Sequence, residues 1–169
     1  EFIKIINTQG EQLMRLINDI IDISKIESGQ INIVMVPVNL NVFLNNLHQL
    51  FHNKVRTDSN NKVELKMTTN LPDKSVNVYL DEVRINQVFI NLLNNALKYT
   101  RKGEIEFGYD IDSSDIKFYV KDTGIGVTDE MKEIIFERFR QADNSQVRKY
   151  GGTGLGLATV YGIVKQHDG

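Results

Sequence analysis

Between residues 81 and 164 the hydrophobic period switches from helical to extended and back to helical, which confines this chain to a mixed α/β class. From Asp81 to Lys98 the apolar residues Ile85, Val88, Phe89, Leu92, Leu93, Ala96 and Leu97 recur at three- and four-residue steps and predict one core-facing helix stripe. Two alternating runs follow. Ile105, Phe107, Tyr109 and Ile111 alternate with Glu104, Glu106, Gly108 and Asp110, and Ile116, Phe118 and Val120 alternate with Lys117, Tyr119 and Lys121. Asp112-Ser113-Ser114-Asp115 between them has tight-turn composition, so the pair reads as a hairpin. A last helix runs through Ala158, Val160, Tyr161, Ile163 and Val164. Upstream, a helix is predicted from Leu40 to Arg56 and a polar loop from Arg56 to Lys62. A strand then carries Val63, Leu65 and Met67, a turn falls at Leu71-Pro72-Asp73, and a short strand carries Val76, Val78 and Leu80.

The polar residues of the 81–98 helix are unusual for a face that only meets water. At roughly 100° per residue, Asn91, Asn95 and Lys98 fall in one narrow sector near Arg84 and Gln87. Asparagine costs about 0.5 kcal/mol or more against alanine inside a helix, yet Asn91, Asn94 and Asn95 crowd one turn. An amide oxygen is a hard neutral ligand for Mg²⁺, and an adjacent ammonium suits a phosphate. A solvated face is the plain alternative. The second hairpin strand delivers Asp122 just before Gly124 and Gly126, where the backbone can turn sharply against a flat ligand and the carboxylate can accept from an exocyclic amine. Taken alone, a strand-end turn without ligand reads the same way.

Gly152-Thr153-Gly154-Leu155-Gly156-Leu157 opens the last helix, where backbone N–H groups and the macrodipole favour an anion; close helix packing is the alternative reading of these glycines. The familiar phosphate motifs fail on spacing. No Gly-Lys-Ser/Thr is present, and neither glycine cluster completes Gly-x-Gly-x-x-Gly, because Asp129 and Leu157 hold the sixth positions. At the N-terminus, Phe2, Ile6, Gln9, Leu13, Leu16, Ile20 and Ile23 alternate four- and three-residue steps, the seam of a bundle or coiled coil. Gly10 weakens that helix by about 1 kcal/mol, and Gly29 after Ser28 reads as its cap. An amphipathic helix packed on its own domain would show the same seam.

In order and spacing, NLLNNALKYT, DTGIG, FERF and GTGLGL resemble the N box, first glycine box, F box and second glycine box of the sensor histidine kinase catalytic domain, within the Bergerat or GHKL superfamily. LINDIIDISKIESG is similar to the second helix of the dimerisation and phosphoacceptor domain, and FERFRQAD with RKYGGTGLGLA is most similar to hybrid kinases. The resemblance implies a two-layer α/β sandwich with a mixed, largely antiparallel sheet, preceded by one long bundle helix. It divides the chain into a partial dimerisation domain over 1–29 and a catalytic ATP-binding domain over 30–169, with the family's C-terminal strands missing after Gly169.

Carried over by position, the resemblance makes Asn95 a Mg²⁺ ligand supported by Asn91, with Lys98 neutralising phosphate charge. Tyr99 would lie against the nucleoside. Asp122 would read the adenine amino group, with Gly124, Ile125 and Gly126 shaping that pocket. The stretch Gly152, Thr153, Gly154, Leu155, Gly156 and Leu157 would meet the phosphates. Phe136, Arg138 and Phe139 would anchor a lid over 140–150 in which Arg148 contacts phosphate. Hydrolytic members of the superfamily carry a glutamate where this chain has Asn91, and an amide is no general base, so phosphate transfer to a protein is implied over hydrolysis.

The implied phosphate acceptor is a histidine in a box resembling His-Glu-x-Arg-Thr-Pro, and none of His48, His52 and His167 fits it. His48 and His52, four apart on a predicted helix, read as ordinary surface or partly buried residues before they read as metal ligands. Expected partners are therefore ATP, a second copy through the N-terminal helix, and a response regulator or receiver domain; the fragment alone is not expected to autophosphorylate. A related ATPase with ATP-driven dimerisation and a non-catalytic regulatory module are the rival readings. Across 169 residues, a net charge of −2 gives no nucleic-acid footprint. No apolar run approaches a membrane span, and the absence of cysteines is compatible with a reducing compartment without demonstrating it. The expected location is cytoplasmic, with anchorage of a parent protein left open.

Overall fold

A computed structural model describes residues 2–30, 32–57, 62–71, 75–112, 115–140, 153–167 and 169. The chain forms two compact units, one continuous over Val34–Val127 and one built from Glu1–Ile33 and Thr128–Gly169.

The Val34–Val127 unit holds β1 (Val36–Asn39), α2 (Leu40–Thr57), β2 (Lys62–Thr69), β3 (Asn77–Leu80), α3 (Glu82–Tyr99), β4 (Lys102–Asp112) and β5 (Asp115–Asp122). Asn39 starts α2 by accepting the Val42 N–H on its side-chain oxygen at 3.1 Å. Along α2 the buried residues Leu40, Phe43, Leu44, Leu47 and Phe51 keep the spacing of one helix face. On α3 the buried residues are Ile85, Val88, Phe89, Leu93 and Ala96, all within the predicted stripe. These faces meet Ile105, Phe107 and Tyr109 of β4, all fully buried, in a single core. Phe89 sits at its centre, edge-on to Phe43, Phe107 and Phe118 at ring separations of 5.8, 6.2 and 5.7 Å. The buried Tyr109 satisfies its hydroxyl by donating to Asn41 Oδ1 at 2.9 Å.

The strands depart from the single sheet expected. Among the described residues they pair as β1–β3, antiparallel, and separately as β2–β4–β5, in which β2 and β4 run parallel and β4 and β5 antiparallel. Strand patterning specifies a buried face but not a partner, so the division was not readable from it. The hairpin is as predicted, in register from Ile105 opposite Asp122 to Asp112 opposite Asp115.

In the other unit lie α1 (Phe2–Glu27), the short α4 (Asp129–Lys132) and α5 (Gly156–Gln166). Gly10 does not interrupt α1. At its end the Gln30 N–H donates to Lys25 O at 2.9 Å and the Gly29 N–H to Ile26 O at 3.2 Å, the paired bonds of a glycine cap. α1 packs on α5 where Gly162 leaves room: a methyl there would lie 2.7 Å from Ile26 Cγ2. Of the seam residues, Phe2, Ile6, Leu13 and Ile20 are exposed, and Ile23 is buried near the α5 contact.

Candidate nucleotide site

The start of α3 is fixed by Asp81, buried at 5% exposure, whose Oδ1 accepts the Arg84 N–H at 3.0 Å and whose Oδ2 accepts the Val34 N–H at 2.9 Å. That cap sets the phase of the helix and brings the predicted polar sector together. Arg84 Nη1 donates to Gln87 Oε1 at 3.0 Å, and Asn91, Asn95 and Lys98 are all half-buried further along. The Asn95 amide makes no hydrogen bond among the described residues, which leaves its oxygen available to a cation. Lys98 Nζ stands 4.7 Å above the Tyr99 ring, a cation–π contact that holds the ammonium near the helix end. Asn94 separates from this group. It is exposed and accepts from Lys54 Nζ at 3.2 Å, so it ties α3 to α2.

β5 ends on Asp122, and the turn after it is joined to the C-terminus of α3. Asp122 Oδ1 accepts from the Thr100 hydroxyl at 3.2 Å and from the Gly124 N–H at 2.9 Å, while the Ile125 N–H donates to Tyr99 O at 3.3 Å. Asp122 Oδ2 has no hydrogen bond among the described residues and the side chain is exposed. The carboxylate is therefore oriented through one oxygen and can accept a donor on the other. A Cβ at position 124 would fall 2.6 Å from Tyr99 O and 2.7 Å from Thr100 Oγ1, so this approach admits only glycine. Gly126 takes a left-handed φ of 68°, and Ile125 before it is exposed. Thr123 continues the hairpin past Asp122, donating its N–H to Glu104 O at 3.1 Å and accepting the Glu104 N–H on Oγ1 at 3.0 Å. Sequence reasoning missed Thr100 and Thr123. Their only signal is adjacency, one following the Lys-Tyr at a helix end and one following the aspartate.

In the Glu1–Ile33 and Thr128–Gly169 unit, the helix opened by the second glycine box begins at Gly156, four residues after Gly152. Thr153 Oγ1 accepts the Leu155 N–H at 3.1 Å and lies 3.5 Å from Asp19 Oδ2 of α1. Leu155 is fully buried, and its carbonyl receives both the N–H and the hydroxyl of Thr159. Gly154 takes φ 70° and its carbonyl accepts the Phe139 N–H at 3.0 Å. A Cβ there would lie 2.8 Å from Phe139 Cα. Phe139 itself has φ 58° with its ring exposed, and Phe136 lies against Tyr161 at 5.8 Å. The F box and the second glycine box are thus tied through the backbone, a link that neither motif announces. Leu157 is half-buried on the first turn of α5.

Arg148, Gly152 and residues 141–150 of the expected lid lie outside the described residues. His48 and His52 stack at 5.7 Å, with His48 also against Phe107 at 6.3 Å, and no cluster fit for a metal occurs among the described residues. His167 ends α5, its Nδ1 3.0 Å from Ile163 O. No helix among the described residues is long and apolar enough to cross a membrane.

Residues 80–169 match the profile of the histidine kinase-, DNA gyrase B- and HSP90-like ATPases, which is more than half of the chain. The chain belongs to that ATPase family. Within it, the chain is similar to the autoinducer 2 sensor kinase/phosphatase LuxQ of Vibrio vulnificus (strain YJ016), at 35% identity over 173 residues, covering 99% of this chain and 20% of that protein. The circadian input-output histidine kinase CikA of Synechococcus elongatus is also 35% identical, over 170 residues, covering 100% of this chain and 22% of CikA. The chain therefore spans about a fifth of the length of these relatives. Among solved structures, full-length ShkA in complex with AMPPNP superposes with a TM-score of 0.81 at 27% identity, covering 97% of this chain and 33% of ShkA. The catalytic domain of histidine kinase ThkA gives 0.65 at 28% identity, covering 79% and 81% of the two chains. The fold is that of histidine kinase catalytic domains.

Proposed function

We propose that this ATPase-family chain is the ATP-binding catalytic portion of a two-component sensor histidine kinase, holding ATP·Mg²⁺ for transfer of the γ-phosphate to a histidine that the chain does not contain. The observation that carries this reading is the union of the α3 C-terminus with the Asp122 turn by hydrogen bonds from Thr100 and Ile125. It joins the helix end bearing Asn95 and Lys98 to a carboxylate with one oxygen available. On this reading Asp122 accepts from the adenine amino group, Tyr99 and Ile125 border the base, and Lys98 meets phosphate oxygens. Asn95, supported by Asn91, donates its amide oxygen to Mg²⁺. The metal supplies charge neutralisation on the transferring phosphate.

Asn91 supports transfer over hydrolysis. An amide does not remove a proton from water at neutral pH, so position 91 holds the phosphate end of the site without activating a competing nucleophile. The exposed α1 seam suits a second copy, and a receiver domain is the proposed downstream acceptor.

In the intact protein, Asn95→Ala should lower Mg²⁺-dependent labelling from γ-labelled ATP by about 10²-fold or more while circular dichroism keeps its native form. Full labelling by the folded variant would remove Asn95 from the metal site.

A further inference from the structure

We infer that Thr100 is a positioning residue for base recognition, its hydroxyl fixing the plane of the Asp122 carboxylate so that one oxygen faces an incoming amine. The inference rests on the ATP-binding reading of Asp122. Thr100 is 1% exposed and ends α3 in an extended conformation, φ −110° and ψ 107°, with its own N–H donating to Ala96 O. Its hydroxyl lies beyond the reach of water and is 3.2 Å from Asp122 Oδ1. A buried hydroxyl beside a carboxylate donates to it, because the carboxylate has only acceptors to offer.

The Gly124 N–H takes the second lone-pair site of the same oxygen at 2.9 Å. Oδ1 is thus used by the protein twice and Oδ2 not at all among the described residues. The Gly124 bond is local, spanning two residues of one turn, and would follow the carboxylate if its plane rotated. Thr100 comes from a different element and is anchored by the helix end, so among the described residues it is what ties the carboxylate plane to α3. Without it, the Asp122 carboxylate plane can tilt away from the orientation shown here, and the geometry that distinguishes a purine bearing an amine from one lacking it is lost.

The distinguishing readout is a ratio. ATP and purine-riboside 5′-triphosphate differ only in the exocyclic amine, so the quotient of their Kd values isolates the Asp122 contact from phosphate and metal contributions. Calorimetry with Mg²⁺ on the intact protein should give the unmodified chain a preference for ATP of about tenfold or more, as expected for a hydrogen bond to a charged group. Thr100→Val, which keeps the shape and deletes the donor, should bring that preference to within about threefold, and Thr100→Ser should restore it. Should valine prevent folding, Thr100→Cys takes its place, its thiol being only a weak donor. A folded Val or Cys variant that keeps the full preference overturns the inference. Equal weakening of both nucleotides also overturns it, since that is the signature of a purely structural threonine. Binding of neither nucleotide by the unmodified chain overturns the ATP reading itself, and this inference with it.

Discussion

Single residues here do work that their type alone does not advertise. Gly154 is one: its φ of 70° and its contact with the Phe139 backbone make a side chain costly on two independent counts. Gly154→Ala should destabilise the Glu1–Ile33 and Thr128–Gly169 unit by about 1–3 kcal/mol, from left-handed strain together with displacement of residue 139. Loss of hydrogen-exchange protection along α5, with α2 and α3 unchanged, would register it. Asn94 and Asn95 show the opposite lesson. Adjacent and identical, they part company because a helix turns each residue by roughly 100°. Asn94 meets Lys54, and the Asn95 amide makes no hydrogen bond among the described residues. Their sectors could be read from the pattern, but the lysine that claims one of them comes from another helix and could not.

At the scale of elements, α1 carries an exposed apolar seam beyond its contact with α5. Phe2, Ile6, Leu13 and Ile20 repeat at bundle spacing and remain exposed, whereas Ile23 is covered. Burying such a seam against a second copy removes apolar area from water at about 25 cal/mol per Å². Replacing Leu13 and Ile20 together by glutamate should therefore convert a dimer of the intact protein to monomer in sedimentation equilibrium, with ATP affinity changed less than about threefold. A dimer that persists would place the self-association elsewhere. The strands carry a related point. Alternation in 104–111 and 116–120 identified the hairpin because its partners are adjacent in sequence and one turn fixes their register. The parallel pairing of β2 with β4 crosses β3 and α3, and alternation contains no information about a partner that distant.

On the scale of the whole molecule, the chain builds one unit from its middle and the other from its two ends. The middle unit depends on Phe89, which is 1% exposed and touches three other rings from α2, β4 and β5. Phe89→Ala should cost about 3–5 kcal/mol, with nucleotide binding falling in parallel because α3 carries Asn91, Asn95 and Lys98. Thermal unfolding checks the first effect, and titration below the new Tm checks the second. By itself the sequence determined the helical and extended segments, the polar sector of α3 and the four ordered motifs that place the chain in its ATPase family, because periodicity and glycine spacing are local properties of a chain. Only the tertiary structure decided that the described strands divide into two sheets, that Thr100 at the end of α3 joins the Gly124 N–H in holding Asp122, and that Gly154 is bound to Phe139. Each of these joins residues from different elements, and such a contact is set by how buried faces pack together, which no single stretch of sequence encodes.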